Sequence, residues 1–212
     1  MKVLLVNGSP HPQGSTNRAL EEVATTLNEN GIDTEIVWIG NTPISGCLGC
    51  GQCRKNGKCV IEDIVITVQE KANECDGFIF GTPVHYASPS GNMVSFMDRL
   101  FYSQMGESGP FYMKPAATVV STRRSGATAA FDVMNKYYTI SQMPVVSSSY
   151  WNNVHGNKPE ETIQDEEGML TMRNLGRNMA YILKCLEAGK EKGVALPERE
   201  PRKFTNFIRK NG

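Results

Sequence analysis

Four of the six cysteines, Cys47, Cys50, Cys53 and Cys59, fall in the order C-x2-C-x2-C-x5-C. Two overlapping C-x-x-C steps let three thiolates converge on one small object. The fourth follows after Arg54, Lys55, Asn56, Gly57 and Lys58. Three chemistries suit such a loop. Successive thiolates wrap an iron–sulfur cubane in this way. Four-cysteine zinc sites also use C-x2-C, but they usually join two such steps across a longer insert, absent here. The third is a loop that holds no metal. Cys75 and Cys185 lie apart, in helical patterns, and are expected to be buried as small apolar residues.

Three further segments carry residue types that hold a mononucleotide. Gly8 to Asn17 is rich in hydroxyls and small residues and leads into a helix. Free backbone N–H groups and the positive end of a helix dipole gather an anion there. Ser9, Ser15, Thr16 and Asn17 are candidate donors to a phosphate, with His11 beside them. The same residues also suit an ordinary turn with a Ser/Thr N-cap. Neither G-x-x-x-x-G-K-[ST] nor G-x-G-x-x-G is present, which argues against a P-loop NTPase and a dinucleotide fingerprint. The second segment holds Pro83, Val84, His85 and Tyr86, two aromatic rings in a loop that prolines stiffen. A flat ring would stack there, and His85 suits ring packing or hydrogen bonding better than acid catalysis. The third holds Ser121, Arg123, Arg124 and Gly126. Its arginines suit a polar ring edge or an incoming phosphate, or are simply solvated.

These segments need a frame. The 212 residues, 40% of them hydrophobic, suffice for one domain with a substantial core. Twenty-two basic and 22 acidic residues balance, which argues against a nucleic-acid partner. The apolar run at the start, Val3 to Val6, is too short for a signal segment or a membrane span. A soluble cytoplasmic protein is expected, a compartment where clustered cysteines more often bind metal or do redox chemistry than form disulfides.

Strands are expected at 2–7, 34–39, 78–81, 114–121 and 144–149, and helices at 17–30, 64–75, 91–103, 128–142 and 165–190. Methionines on the last helix (Met169, Met172, Met179) read as core filler. Five alternations of strand and helix call for an α/β three-layer sandwich, a five-stranded parallel sheet of order 2-1-3-4-5 with helices on both faces. Ligands in such sheets bind beyond the carboxyl ends of the strands. Residues 1–196 would form this domain, with the cysteine-rich loop at 43–60. Residues 197–212 would form a basic tail with Phe204, Phe207 and Ile208 as anchors.

With these motifs the chain resembles the NADPH-dependent FMN reductase branch of the flavodoxin-like superfamily, in particular the iron–sulfur flavoproteins. The resemblance is carried by Val6-Asn7-Gly8-Ser9-Pro10, Gly14-Ser15-Thr16-Asn17, the cysteine run, Gly81-Thr82-Pro83-Val84-His85-Tyr86, Ser90-Gly91-Asn92-Met93, Phe96-Met97-Asp98-Arg99 and Tyr150 to Gly156. It implies a non-covalent FMN with its phosphate on Ser9, Ser15, Thr16 and Asn17. The ring would lie between residues 83–86 and 121–126. It also implies NAD(P)H as co-substrate, a small-molecule or protein electron acceptor, and a homodimer or homotetramer in which Trp151 and the last helix meet a partner. The four clustered cysteines match, position by position, the family's ligands to a [4Fe–4S] cluster. A rival function is an electron-transfer carrier reduced by a protein donor such as ferredoxin, although flavodoxins proper are strongly acidic and this chain is not. Another is a cysteine-rich metal or redox sensor.

Overall fold

The computed structural model describes residues 1–105, 109–200, 203 and 205. Strand β1 (Lys2–Asn7) alternates its side chains between two cores: Val3 and Leu5 enter one, Leu4 and Val6 the other. A strand covered on both faces is what an unbroken apolar run requires. Helix α1 (Ser15–Glu29) buries Ala19, Leu20, Val23 and Leu27 at helical spacing against the Val3 side. Edge strand β2 (Asp33–Trp38) pairs with β1 in parallel. The cysteine loop follows, with one short helix, α2 (Cys53–Asn56), and then α3 (Ile64–Ala72), whose N-cap is Asp63.

Strand β3 (Gly77–His85) is longer than expected and turns back through β4 (Ser88–Pro89), its antiparallel partner. Next come α4 (Gly91–Ser103), β5 (Ala116–Thr122) and α5 (Ala127–Ile140), then β6 (Asn153–His155), α6 (Pro159–Thr162) and α7 (Glu166–Glu191). The main path runs β2-β1-β3-β5-β6, all parallel. Counting those five strands alone, this is the expected order. Helices α1 and α7 cover one face; α3, α4 and α5 cover the other. Met169, Met172 and Met179 are buried in the α1–α7 core.

The fifth strand lies elsewhere than expected. Residues 144–146 approach the sheet only through a bridge between Ala116 and Val145. The chain then leaves the ladder, because the Ser148 hydroxyl bonds Tyr150 O at 2.7 Å and Asn152 Oδ1 at 2.6 Å. Short hydroxyl side chains offer the backbone an alternative to sheet pairing. Pairing resumes at Asn153, opposite Val120. Cys75 is buried as expected, whereas Cys185 is exposed on α7. In the tail, Tyr112 donates to Pro197 O at 3.0 Å, and Arg199 lies over the Tyr112 ring. Phe204, Phe207 and Ile208 lie outside the described residues.

Candidate functional site

A pocket of about 520 Å³ opens at the carboxyl ends of β1, β3, β5 and β6. Its first wall is the segment after β1. Buried Asn7 shapes that segment: Oδ1 accepts from Ser9 N–H at 3.0 Å, and Nδ2 donates to Pro12 O and Asn17 Oδ1, each at 3.3 Å. Ser9 Oγ accepts from His11 N–H at 3.1 Å, and Trp38 Nε1 donates to Ser9 O at 2.8 Å. Helix α1 then starts two residues earlier than expected, with Gly14 at its N-cap. No side chain caps it and its first turn is free of acidic residues. The first-turn N–H groups and the positive helix end therefore face the pocket without internal compensation, which suits an anion.

The hydroxyls do not all point into this site. Thr16 Oγ1 and Ser121 Oγ share a buried hydrogen bond of 2.7 Å that ties α1 to β5. Asn17 is occupied by Asn7 and by Glu21, to which its Nδ2 donates at 2.7 Å. Ser15 lines the pocket, and its hydroxyl has no such protein partner among the described residues.

The second wall is the β3–β4 hairpin. Tyr86 and Ala87 both take left-handed backbone angles, φ 50° and 59°. Two such residues make the tight turn that matches strand twist, a place usually filled by Asn or Gly. Gly126 (φ +91°) packs beneath it: a Cβ there would stand 2.8 Å from Ala87 Cα. The segment after β5 thus supports the segment after β3. Pro83, Val84, His85, Ser121 and Arg123 line the pocket with Ser9, His11, Ser15 and Thr16. Asn17, Tyr86, Arg124 and Gly126 stand outside the lining; Tyr86 is fully exposed at the hairpin tip.

Ser121, Thr122 and Arg123 at the end of β5 form the third wall, and a fourth, not expected from the sequence, is Gly156, Asn157, Lys158 and Pro159, after β6. Had the last strand been placed at 153–155, the rule that ligands sit beyond strand ends would have pointed to it. Helix α6 packs on α1, which brings Lys158 to the same rim. Arg123 and Lys158 are the lining cations, and no carboxylate side chain is among the described lining residues.

A second, narrow pocket is lined by Cys47, Cys50, Cys53 and Cys59 together, against α4. All four are free thiols. Burial, followed by the neighbouring Cys47, pushes the Cys53 thiol above its ordinary range. Among the described residues, no three ligating side chains gather about the position of a single metal ion. Helix α4 grips the loop from one side: Asn92 Oδ1 accepts from Ile44 N–H at 3.2 Å and Asn92 Nδ2 donates to Thr42 O at 2.9 Å. Arg54 donates to Tyr102 Oη at 2.6 Å, and Gln69 and Gln104 both donate to Gly57 O.

An open parallel sheet of this order, with a pocket at its carboxyl edge beside the N-terminus of α1, defines a flavodoxin-like fold. Solved structures agree on that fold. RosB with its bound intermediate 8-demethyl-8-formylriboflavin-5'-phosphate superposes with a TM-score of 0.70 at 15% identity, covering 100% of this chain and 95% of that one. An NAD(P)H:quinone oxidoreductase from Methanothermobacter marburgensis gives 0.63 at 15% identity, covering 84% and 96%. The family model for NADPH-dependent FMN reductase matches residues 1–158. An iron–sulfur flavoprotein of Methanocaldococcus jannaschii is 30% identical over 192 residues, 88% of this chain and 100% of the relative. Another, of Methanosarcina thermophila, is 25% identical over 91% of this chain and 100% of the relative. The chain belongs to the NADPH-dependent FMN reductase family and is an NAD(P)H-dependent FMN oxidoreductase.

Proposed function

We propose that this protein is an iron–sulfur flavoprotein: it takes electrons from a nicotinamide nucleotide at FMN and passes them to a small-molecule or protein acceptor, with a [4Fe–4S] cluster on Cys47, Cys50, Cys53 and Cys59. The observation that carries this is the pairing of two pockets on one chain. One is an anion-ready pocket at the sheet rim; the other is ringed by four free thiols. The donor set fits a cluster, since four thiolates at this compact spacing are its usual protein ligands.

FMN, when bound, supplies hydride acceptance and onward electron release; the chain supplies position and field. The open N–H groups of the first α1 turn and the Ser15 hydroxyl hold the phosphate. Thr16 contributes its backbone rather than its hydroxyl, which Ser121 holds. Pro83, Val84 and His85 on one side and Ser121 and Arg123 on the other are the residues that would hold the ring. Arg123 and Lys158 give the pocket a positive field, which favours negative charge gained on reduction. No side chain is required as a nucleophile.

Further copies of this chain are the expected partners in assembly. Tyr150 and Trp151 are exposed and stack edge to face at 4.8 Å, while α7 exposes Leu170 and Tyr181. Exposed aromatics of this kind anchor interfaces. Among the described residues no helix is long and apolar enough to cross a membrane; we place the protein in the cytoplasm. Anaerobic purification with an absorbance spectrum and iron, sulfide and flavin assays tests the proposal. FMN with about four iron and four sulfide per chain is expected. A colourless protein, or one with stoichiometric zinc, would overturn it. Bleaching of the flavin by NAD(P)H under anaerobic conditions tests the hydride step.

A further inference from the structure

Arg99 is almost completely buried, at 1% exposure, yet it lies outside the flavin pocket and has no part in the chemistry described so far. A guanidinium carries five N–H donors, and each has one acceptor here. Nη1 donates to Asp63 Oδ2 at 2.5 Å and to Ser45 O at 3.3 Å. Nη2 donates to Asp63 Oδ1 at 2.9 Å and to Ile61 O at 2.9 Å. Nε donates to Cys59 Sγ at 3.4 Å. Ser45 lies two residues before the first clustered cysteine and Ile61 two residues after the last. One side chain therefore clasps both ends of the loop and touches the sulfur of its fourth thiol.

The charge balance makes the sulfur contact specific. Asp63 offsets the buried guanidinium through a two-pronged pair. Asp63 is itself fixed as the N-cap of α3, accepting from Val65 N–H at 3.0 Å. With both Nη groups fully engaged, the plane of the guanidinium is set and Nε–H points in one direction, at Cys59. A lysine has three donors and no plane. It can match the charge but cannot reproduce five directed bonds.

We propose that Arg99 is a positioning residue for the cysteine centre: it closes the loop and holds the Cys59 sulfur in a fixed place with a directed N–H. Since this presupposes that the four thiolates hold a cluster, the test separates the two. A hydrogen bond to a ligand sulfur bears on reduction potential, and partners of metal ligands commonly bear on metal retention by 10- to 100-fold. The chain is purified anaerobically as the wild type, as Arg99→Lys, and as the double variant Arg99→Met/Asp63→Ser. The double variant removes the buried guanidinium together with its half-buried carboxylate partner and keeps an oxygen at the α3 N-cap, so it guards against simple misfolding.

Three quantities are read: FMN per chain, the rate of iron loss to an anaerobic chelator, and the cluster midpoint potential. Both variants are expected to keep FMN, to lose iron at least about tenfold faster, and to show a lower midpoint potential. Wild-type iron retention and potential in both variants would overturn the role of Arg99. So would parallel loss of FMN and iron, which would make Arg99 a general structural residue. A wild type that holds FMN but no iron and sulfide would overturn the cluster itself, and the Arg99 role with it.

Discussion

Replacing Thr16 with valine separates two roles that its hydroxyl could have. The change is nearly isosteric and deletes one O–H. In the structure that hydroxyl bonds Ser121 Oγ at 2.7 Å, and both residues are buried. Losing the bond costs about 1 kcal/mol net, and leaving the Ser121 hydroxyl buried without its partner adds about 1 kcal/mol more. The expected loss is about 2 kcal/mol of folding stability, roughly a 30-fold change in the unfolding constant. For a chain of this size it lowers Tm by about 4–8 °C. FMN affinity should move by no more than about threefold, since less than 1 kcal/mol is at stake when the phosphate keeps its backbone donors. Urea unfolding of the FMN-free protein measures the first quantity, and flavin fluorescence titration the second. Ser121→Ala completes a cycle: each single leaves one hydroxyl without its partner and the double variant leaves none, so the double should lose about 3 kcal/mol less than the sum of the singles. Strictly additive losses, or an FMN Kd raised by more than about tenfold, equal to 1.4 kcal/mol, would refute the assignment of this hydroxyl to the α1–β5 contact.

Ser15→Asp places a negative charge at the open α1 N-terminus. It should leave Tm unchanged or slightly raised, because acids favour helix N-termini, while FMN affinity falls by about 100-fold or more through repulsion of the phosphate. Lys158→Glu should weaken FMN binding, and the difference from wild type should shrink as salt rises from 0.05 to about 0.5 M; an effect independent of salt would remove Lys158 from the electrostatics of the pocket. Glu35 is held below the ordinary carboxylate range by its hydrogen bond from Lys2 first and from Lys71 second. Its folded pKa lies below its unfolded one, so its stabilisation is present above the unfolded value, about 4.3, and is lost as pH falls through the folded value. Glu35→Gln should therefore lose less than about 1 kcal/mol at pH 7, and its unfolding curve should merge with that of the wild type in acid. Cys59→Ser should abolish the iron-dependent visible absorbance and leave FMN content unchanged; retained iron and sulfide would remove Cys59 from the ligand set.

Local pattern and distant contact divide this protein cleanly. The run from Val3 to Val6, the helical spacing of Ala19, Leu20, Val23 and Leu27, and the compact cysteine spacing are all short-range properties, legible along the chain. So was the meeting of the first, second and third segments, because parallel strands with right-handed crossovers put every strand end on one rim. The fifth strand was not legible. Residues 144–149 have strand-like composition, but the Ser148 hydroxyl diverts the backbone and moves the pairing to Asn153. With it went the Gly156–Pro159 wall and Lys158.

By itself, then, the order of residues determined the layered α/β frame, the anion-ready start of α1 and the supply of four clustered thiols, because helix, strand and ligand spacing are set by neighbours a few positions away. Only the folded chain decided what each polar group is free to do. Thr16 meets Ser121 across 105 positions, Arg99 meets Cys59 across 40, and Gly126 fits under Ala87. Whether a hydroxyl or a guanidinium faces a ligand or a neighbour depends on which acceptor packing delivers to it, and that is a property of three-dimensional contact.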